Sequence, residues 1–218
     1  MSTVIELPTV EFDANRHEYR VDGELWPNVT GILSAVGLAT DWSQKPPDVR
    51  AAAEAKKALG RRVHDACALL DGGALSWGAL DDDVFPYVEA WERYTRQRGI
   101  RQWLAIEKPL GHPLYRFAGT LDRLALAADR FTLTDIKCGD PDDAGGAFQT
   151  AGYALLIDAH REALGLPSTL PLHRLERECV QLFPTGLYTL EPYPNRDDWK
   201  VFVAALTVFT HQPRRRTR

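Results

Sequence analysis

Residues 116–138 read RFAGTLDRLALAADRFTLTDIKC, two strand-like runs joined by a tight turn at Ala128-Asp129. A connection this short permits an antiparallel hairpin and excludes a parallel crossover, which needs a dozen residues or more. Side chains alternate along a strand, so Phe131, Leu133, Asp135 and Lys137 share one face. With the turn fixed, Leu126 faces Phe131, Leu124 faces Leu133, Asp122 faces Asp135 and Thr120 faces Lys137. The apolar pairs are core. The acid pair is not, because like charges directly opposed destabilise a sheet. Two carboxylates with Cβ atoms about 5 Å apart suit one shared hard cation such as Mg²⁺, which one or two carboxylates commonly hold. The plain alternative is an exposed hairpin end with solvated charges, Asp135 pairing with Lys137 or Arg123.

At 218 residues the chain reads as one domain. Residues 1–50 form an N-terminal hairpin and short helix, 51–100 a helical part, 101–212 the sheet-bearing core and 213–218 a basic tail. The net charge of −4 gives no overall basic field, although a local groove can be positive on an acidic protein. MSTVIELPTVEF lacks the pattern of a signal peptide, and no apolar run approaches membrane-spanning length. The three cysteines, Cys67, Cys138 and Cys179, fit neither a disulfide framework nor a cluster spacing. A cytoplasmic setting without membrane contact is expected.

Along the chain, EFDANRHEYRVDGELW predicts a hairpin or small sheet with turns at Asp13-Ala14-Asn15 and Asp22-Gly23. Thr30 is the expected N-cap of a short helix and Asp48 of a longer one running to about residue 70. Leu59, Val63, Cys67 and Leu70 form the apolar stripe of that longer helix. A third helix spans about 83–98, burying Phe85, Val88, Trp91 and Tyr94 and ending at Gly99. WLAIEKPL precedes the hairpin as a strand. A helix follows the hairpin, closed by Gly165 and Pro167, then strands RECVQLF and GLYTLEPY hinged at Pro184-Thr185-Gly186, then a closing helix. This order predicts an α/β fold, a mixed central sheet flanked by helices.

Other residues can converge on the acids. Gln149 and Tyr153 share a helix face at i, i+4; a core tyrosine and a surface glutamine is the bland reading. Gly60 and His64 share the same spacing, and a mid-helix glycine costs about 1 kcal/mol, which suggests a close approach of backbone or ligand beside His64. Glu107 is an acid in an otherwise apolar strand, a third metal-facing carboxylate or an edge-strand charge. Arg61 and Arg62 are candidate phosphate contacts or solvated charges.

Gly119 with Asp122, Asp135-Ile136-Lys137 with Gly139, Gln149 with Tyr153, and Gly60 with His64 together resemble the RecB-like, phage-type exonuclease branch of the PD-(D/E)XK nuclease superfamily. HEYRVDGELWPNVTGIL also resembles the start of phage and prophage members. The resemblance implies a restriction-endonuclease-like core with an N-terminal β-hairpin and helical additions. It implies that His64, Asp122, Asp135 and the Ile136 carbonyl hold the metal, with Glu107 at a place where relatives often have an acid. Lys137 would position water and offset charge, and Gln149 and Tyr153 would complete the catalytic site. Cys138 stands where many relatives have threonine, and the cysteines that hold an iron–sulfur cluster in some relatives are missing, so none is expected.

The expected function is Mg²⁺-dependent DNA hydrolysis, with Mn²⁺ as a substitute, by an exonuclease in phage or prophage DNA recombination or processing. Arg61, Arg62, Arg116 and Arg123 would meet DNA phosphates in a salt-dependent way. A recombination or annealing protein is a possible partner. The alternatives are a structure-specific endonuclease, a non-cleaving DNA-binding module of the same fold, or an adaptor whose charged hairpin is incidental.

Overall fold

A computed structural model describes residues 7–14, 16–41, 45–138 and 145–211. Asn15, Gly139 and the basic tail 213–218, each invoked above, lie outside the described residues.

The chain opens with β1 (Val10–Asp13), β2 (Glu18–Val21) and β3 (Glu24–Trp26), a three-stranded antiparallel sheet. Of the expected hairpin or small sheet, the small sheet forms, with Asp22-Gly23 between β2 and β3. Next come α1 (Val29–Ala35), α2 (Pro47–Asp71) and α3 (Phe85–Arg98). The main sheet is β4 (Ile100–Gly111), β5 (Ala118–Ala127), β6 (Arg130–Cys138), β7 (Glu176–Leu182) and β8 (Tyr188–Pro192), in that spatial order. Only β6 and β7 are parallel, and α4 (Gly146–Ala159) bridges them in sequence; α5 (Asp198–His211) closes the described chain. This is a mixed five-stranded sheet flanked by helices, as the sequence predicts.

Two apolar layers cover the main sheet. On one face Leu124 and Leu133 pack with Tyr153, Leu156 and Ile157 of α4 and Phe202 and Leu206 of α5. On the other, Ile136 and Val180 pack with Val63 and Cys67 of α2 and Val88, Trp91 and Tyr94 of α3. Each fully buried leucine contributes about 1.5–3 kcal/mol. Because α4 is covered nearly all round, its polar Gln149 and Thr150 are carried into the interior. That needs partners, since a buried polar group without one is destabilising.

Several helix ends differ from expectation. Asn28, not Thr30, caps α1: its side-chain oxygen accepts from Gly31 N–H at 2.7 Å, and the Thr30 hydroxyl donates to the same oxygen. Asp48 lies in the first turn of α2, whose cap position is Pro46. An acid there still favours the positive end of the helix dipole. Phe85 remains 40% exposed, edge-on to Trp77, so it leaves the buried row of α3. Helix α4 ends at Ala159, and turns carry the chain to Gly165 at φ +71°. Gly99 ends α3 as expected, left-handed at φ +69°.

Candidate active site

The β5–β6 hairpin has the expected register: Leu124 pairs with Leu133, Leu126 with Phe131, and Ala127–Arg130 closes the turn, where Ala128 has φ +52°. The ladder stops at Arg123–Thr134. Asp122 and Asp135 are therefore not a paired couple, nor are Thr120 and Lys137. The physical reason is a substitution of partners. Ile136 N–H donates to Asp122 Oδ2 at 2.7 Å, so a side chain takes the bond that a continued ladder would place on backbone. Thr120 instead takes a 2.9 Å hydrogen bond from the Tyr19 hydroxyl of β2.

The acids then fall into two linked groups. In the first, β4 pairs Ile106–Arg123 and Lys108–Leu121 set Glu107 opposite Asp122, and Glu107 leaves strand geometry at φ +43°. From α2, His64 Nδ1 faces Glu107 Oε1 at 3.1 Å and Nε2 faces the Ile136 carbonyl at 3.1 Å. Asp122 Oδ1 is 3.8 Å from the same Nδ1. Among the described residues, His64, Glu107 and Asp122 form the cluster able to share a metal ion, with one ligand atom from each all within 4.8 Å. In the second group, Gln149 Nε2 donates to Asp135 Oδ1 at 3.0 Å and to the Tyr153 hydroxyl at 3.1 Å. Lys137 Nζ lies 3.1 Å from Asp135 Oδ2 and 3.4 Å from Gln149 Oε1. Asp135 is 1% exposed, and among the described residues its Oδ2 has the Lys137 ammonium as its neighbour.

Gly119 gives this arrangement its room. A Cβ there would stand 2.8 Å from Tyr153 Cε1, so the ring of α4 seats directly on bare β5 backbone. Gly60 behaves differently. Among the described residues no atom outside its own helix turn lies within 4 Å of its would-be Cβ, so the expected close approach of another backbone is not found among them.

The electrostatics follow from crowding. Burial pulls the His64 pKa down, but Asp122 and Glu107 outweigh it and push it up to about 9. Two acceptors around one ring fit a doubly protonated imidazole. Burial raises Asp122, and Asp135 and Glu107 raise it further against the opposing His64 and Lys137. Burial also pushes the Glu107 carboxyl up, yet His64 and Arg123 together hold it below its usual value. Lys137 is held well above its ordinary value: burial opposes its charge, and Asp135 and Asp122 overcome that. It is a fixed ammonium, suited to stabilising negative charge and unsuited to accepting a proton.

Of the expected DNA-contacting arginines, Arg123 needs correction, while Arg61, Arg62 and Arg116 are exposed. Arg123 is fully buried. Its Nε donates to Asp71 Oδ2 at 2.5 Å, its Nη1 to Glu107 Oε1 at 2.7 Å and to Asp122 O at 2.8 Å, and its guanidinium lies over Trp91. It braces the site from inside and cannot meet a phosphate. Arg62 is ion-paired with Asp81 and Asp83 at 2.8 and 2.5 Å, fastening α2 to the start of α3. Arg116 pairs with Glu24 and lies over Trp26, fastening the β4–β5 turn to the N-terminal sheet. Arg61 is exposed on α2.

Asp71 is the brace the sequence reading missed. It follows His64 by seven residues, two helical turns on the same face, and its carboxylate takes both Arg123 Nε and Trp91 Nε1. That spacing was its signal in the sequence.

The charges leave room for a cation. Asp71, Glu107, Asp122 and Asp135 oppose Arg123 and Lys137, four against two, so the neighbourhood carries two excess negative charges when His64 is neutral. Imidazole and carboxylate donors suit a divalent ion. With Asp135 beside them, the residues present fit a divalent metal.

A comparison with the curated proteins finds no match. The family model of the PD-(D/E)XK nuclease superfamily matches residues 37–205, which includes every residue of both acidic groups. From its sheet, its site and this match, the chain belongs to the PD-(D/E)XK nuclease superfamily.

Proposed function

We propose that the protein is a Mg²⁺-dependent deoxyribonuclease of the RecB-like, phage-type branch, working as an exonuclease in DNA recombination or processing. The observation that carries this reading is the meeting of His64, Glu107 and Asp122 with Asp135, Lys137 and Gln149 around an excess of negative charge. His64, Glu107, Asp122, Asp135 and the Ile136 carbonyl would hold the ion. A bound divalent cation supplies Lewis-acid polarisation of the phosphoryl group and acidifies water at the site.

The chain's own residues do the rest. Lys137 keeps its proton and places a positive charge where the phosphate becomes more negative, a contribution that depends on preorganisation. Gln149 fixes both the Asp135 carboxylate and the Tyr153 hydroxyl, so the acid and lysine meet substrate in one geometry. Arg123 and Asp71 hold Glu107 from the buried side. Arg61, Arg62 and Arg116, the exposed ones of the four candidate arginines, are offered for phosphate contact. Mn²⁺ is expected to substitute, and a recombination or annealing protein is a fitting partner.

End-labelled linear, nicked and circular DNA incubated with Mg²⁺, Mn²⁺ or EDTA tests the reading. Release of label from linear DNA with circular DNA intact, abolished by EDTA, is expected. Cutting of circles would make it an endonuclease, and binding without cutting in either metal would make it a non-cleaving module.

A further inference from the structure

Helix α2 carries Lys57, Gly60, Arg61 and His64 at i, i+3, i+4 and i+7, which places them on one face in a stripe that ends at the metal cluster. Lys57 and Arg61 are exposed. Gly60 lies between them, and none of the described residues fills the stripe's middle.

The N-terminal sheet also reaches this site, through the hydrogen bond from Tyr19 to Thr120 of β5. Phe12 and Tyr19 are paired neighbours on its inner face, their rings stacked with centroids 4.6 Å apart. Tyr19 is buried and bonded to Thr120, two residues from Asp122. Beyond it, at the turn end, stands His17. Its ring is edge-on to Phe12 at 5.5 Å and to Tyr19 at 5.7 Å, yet the residue is exposed. Asn28 at the start of α1 donates to the His17 carbonyl at 3.3 Å, and the backbone is held at φ +53°. Partial burial and the Lys57 ammonium together lower the His17 pKa, so Lys57 lies within electrostatic reach and the ring is favoured in its neutral form. The acids Glu11, Asp13 and Glu18 belong to the alternate, outer positions of β1 and β2.

An aromatic row thus runs from Thr120 outward to an exposed ring, a basic helical stripe runs inward to His64, and the two converge at Asp122. Aromatic faces beside a positive track are how proteins hold single-stranded nucleic acid, bases on one side and phosphates on the other. We propose that the turn end of the N-terminal sheet is a base-stacking wall, where His17 takes an unpaired nucleobase of a single-stranded DNA end while the Lys57–Arg61 face of α2 follows its phosphates. This rests on the nuclease reading and names its substrate: a frayed or single-stranded end rather than intact duplex.

The test compares the wild type, His17→Ala and His17→Tyr by fluorescence anisotropy in EDTA. The probes are a labelled thymidine 12-mer, an abasic 12-mer of the same length and a blunt duplex, and wild-type cutting of linear DNA in Mg²⁺ is measured in parallel. His17→Ala is expected to weaken thymidine binding at least about fivefold, the lower end of stacking on one aromatic ring. Abasic and duplex binding should be unchanged, and His17→Tyr should keep the wild-type affinity. A 12-mer carrying terminal 2-aminopurine should be quenched by wild type and by His17→Tyr, which reads stacking even if the alanine variant misfolds. Equal thymidine affinity in all three proteins, an equal loss on the abasic strand, or no quenching overturns the stacking wall while wild-type cutting leaves the nuclease reading intact. A wild type that neither binds nor cuts overturns both.

Discussion

The Asp122 carboxylate accepts a 2.7 Å hydrogen bond from the Ile136 backbone N–H, and this one contact ends the β5–β6 ladder at the site. It turns Asp122 toward His64 and Glu107, while Asp135 stays with α4. Asp122→Asn keeps an oxygen for Ile136 N–H and removes a buried charge. The variant in EDTA should melt at or above the wild-type temperature, because burial and two neighbouring acids disfavour that charge. A metal that binds only the folded state must raise stability by mass action, so Mg²⁺ should raise the wild-type melting temperature and have little effect on the variant. An undiminished Mg²⁺ response in the variant removes Asp122 from the ion's ligands.

Arg123 is the buried counter-charge of Asp71 and Glu107. Arg123→Met should destabilise the fold by about 3–5 kcal/mol, the usual consequence of leaving buried acids without their partner. Urea unfolding measures it. A loss below about 0.5 kcal/mol would match a surface position and contradict the bracing role.

The two glycines of the site should respond in opposite ways. Gly119→Ala drives a methyl into the Tyr153 ring and should destabilise by about 1–3 kcal/mol, as overpacking does. Gly60→Ala meets nothing and should stabilise by about 0.5–1 kcal/mol through helix propensity. If DNA passes over that stripe, the same Gly60→Ala protein should bind it more weakly despite its greater stability. Thermal melting and DNA binding on each variant separate these effects.

His64 gives a pH dependence with a definite sign. Its folded pKa of about 9 lies above the ordinary 6.5. The stability it contributes is fully present below pH 6.5 and is lost as pH rises through about 9. In EDTA the melting temperature should therefore fall across that window more than it does for His64→Gln. Metal must displace the ring proton, so Mg²⁺ affinity should strengthen over the same window. A flat wild-type melting curve, or one parallel to His64→Gln, would contradict the His64–Glu107–Asp122 arrangement.

The hairpin register was legible because its turn is two residues long and its apolar pairs admit one alignment. Leu124–Leu133 and Leu126–Phe131 formed as the alternation required. The end of the ladder was not legible, because it depends on a side chain competing with backbone for one N–H. The spacing of Gln149 and Tyr153 put both on one face of α4, and their union with Asp135 followed from that face being buried. Arg123 was the arginine that the sequence misplaced. It reads as a phosphate contact from charge alone, but it is buried against Asp71, while Arg62 and Arg116 stay exposed beside acids that are also far in sequence: Asp81 and Asp83, and Glu24. Long-range ion pairs have no local pattern, whereas helical and strand periodicities do.

Cleavage by wild type and Asp135→Asn, side by side on end-labelled linear DNA at saturating Mg²⁺, tests the central claim most directly. The substitution keeps the shape around Gln149 and Lys137 and removes the charge that both hold in place. The account predicts metal-dependent release of label by the wild type and a loss of about 10²–10³-fold in the folded variant, the scale of removing one preorganised electrostatic group. Unchanged cutting by Asp135→Asn would contradict it.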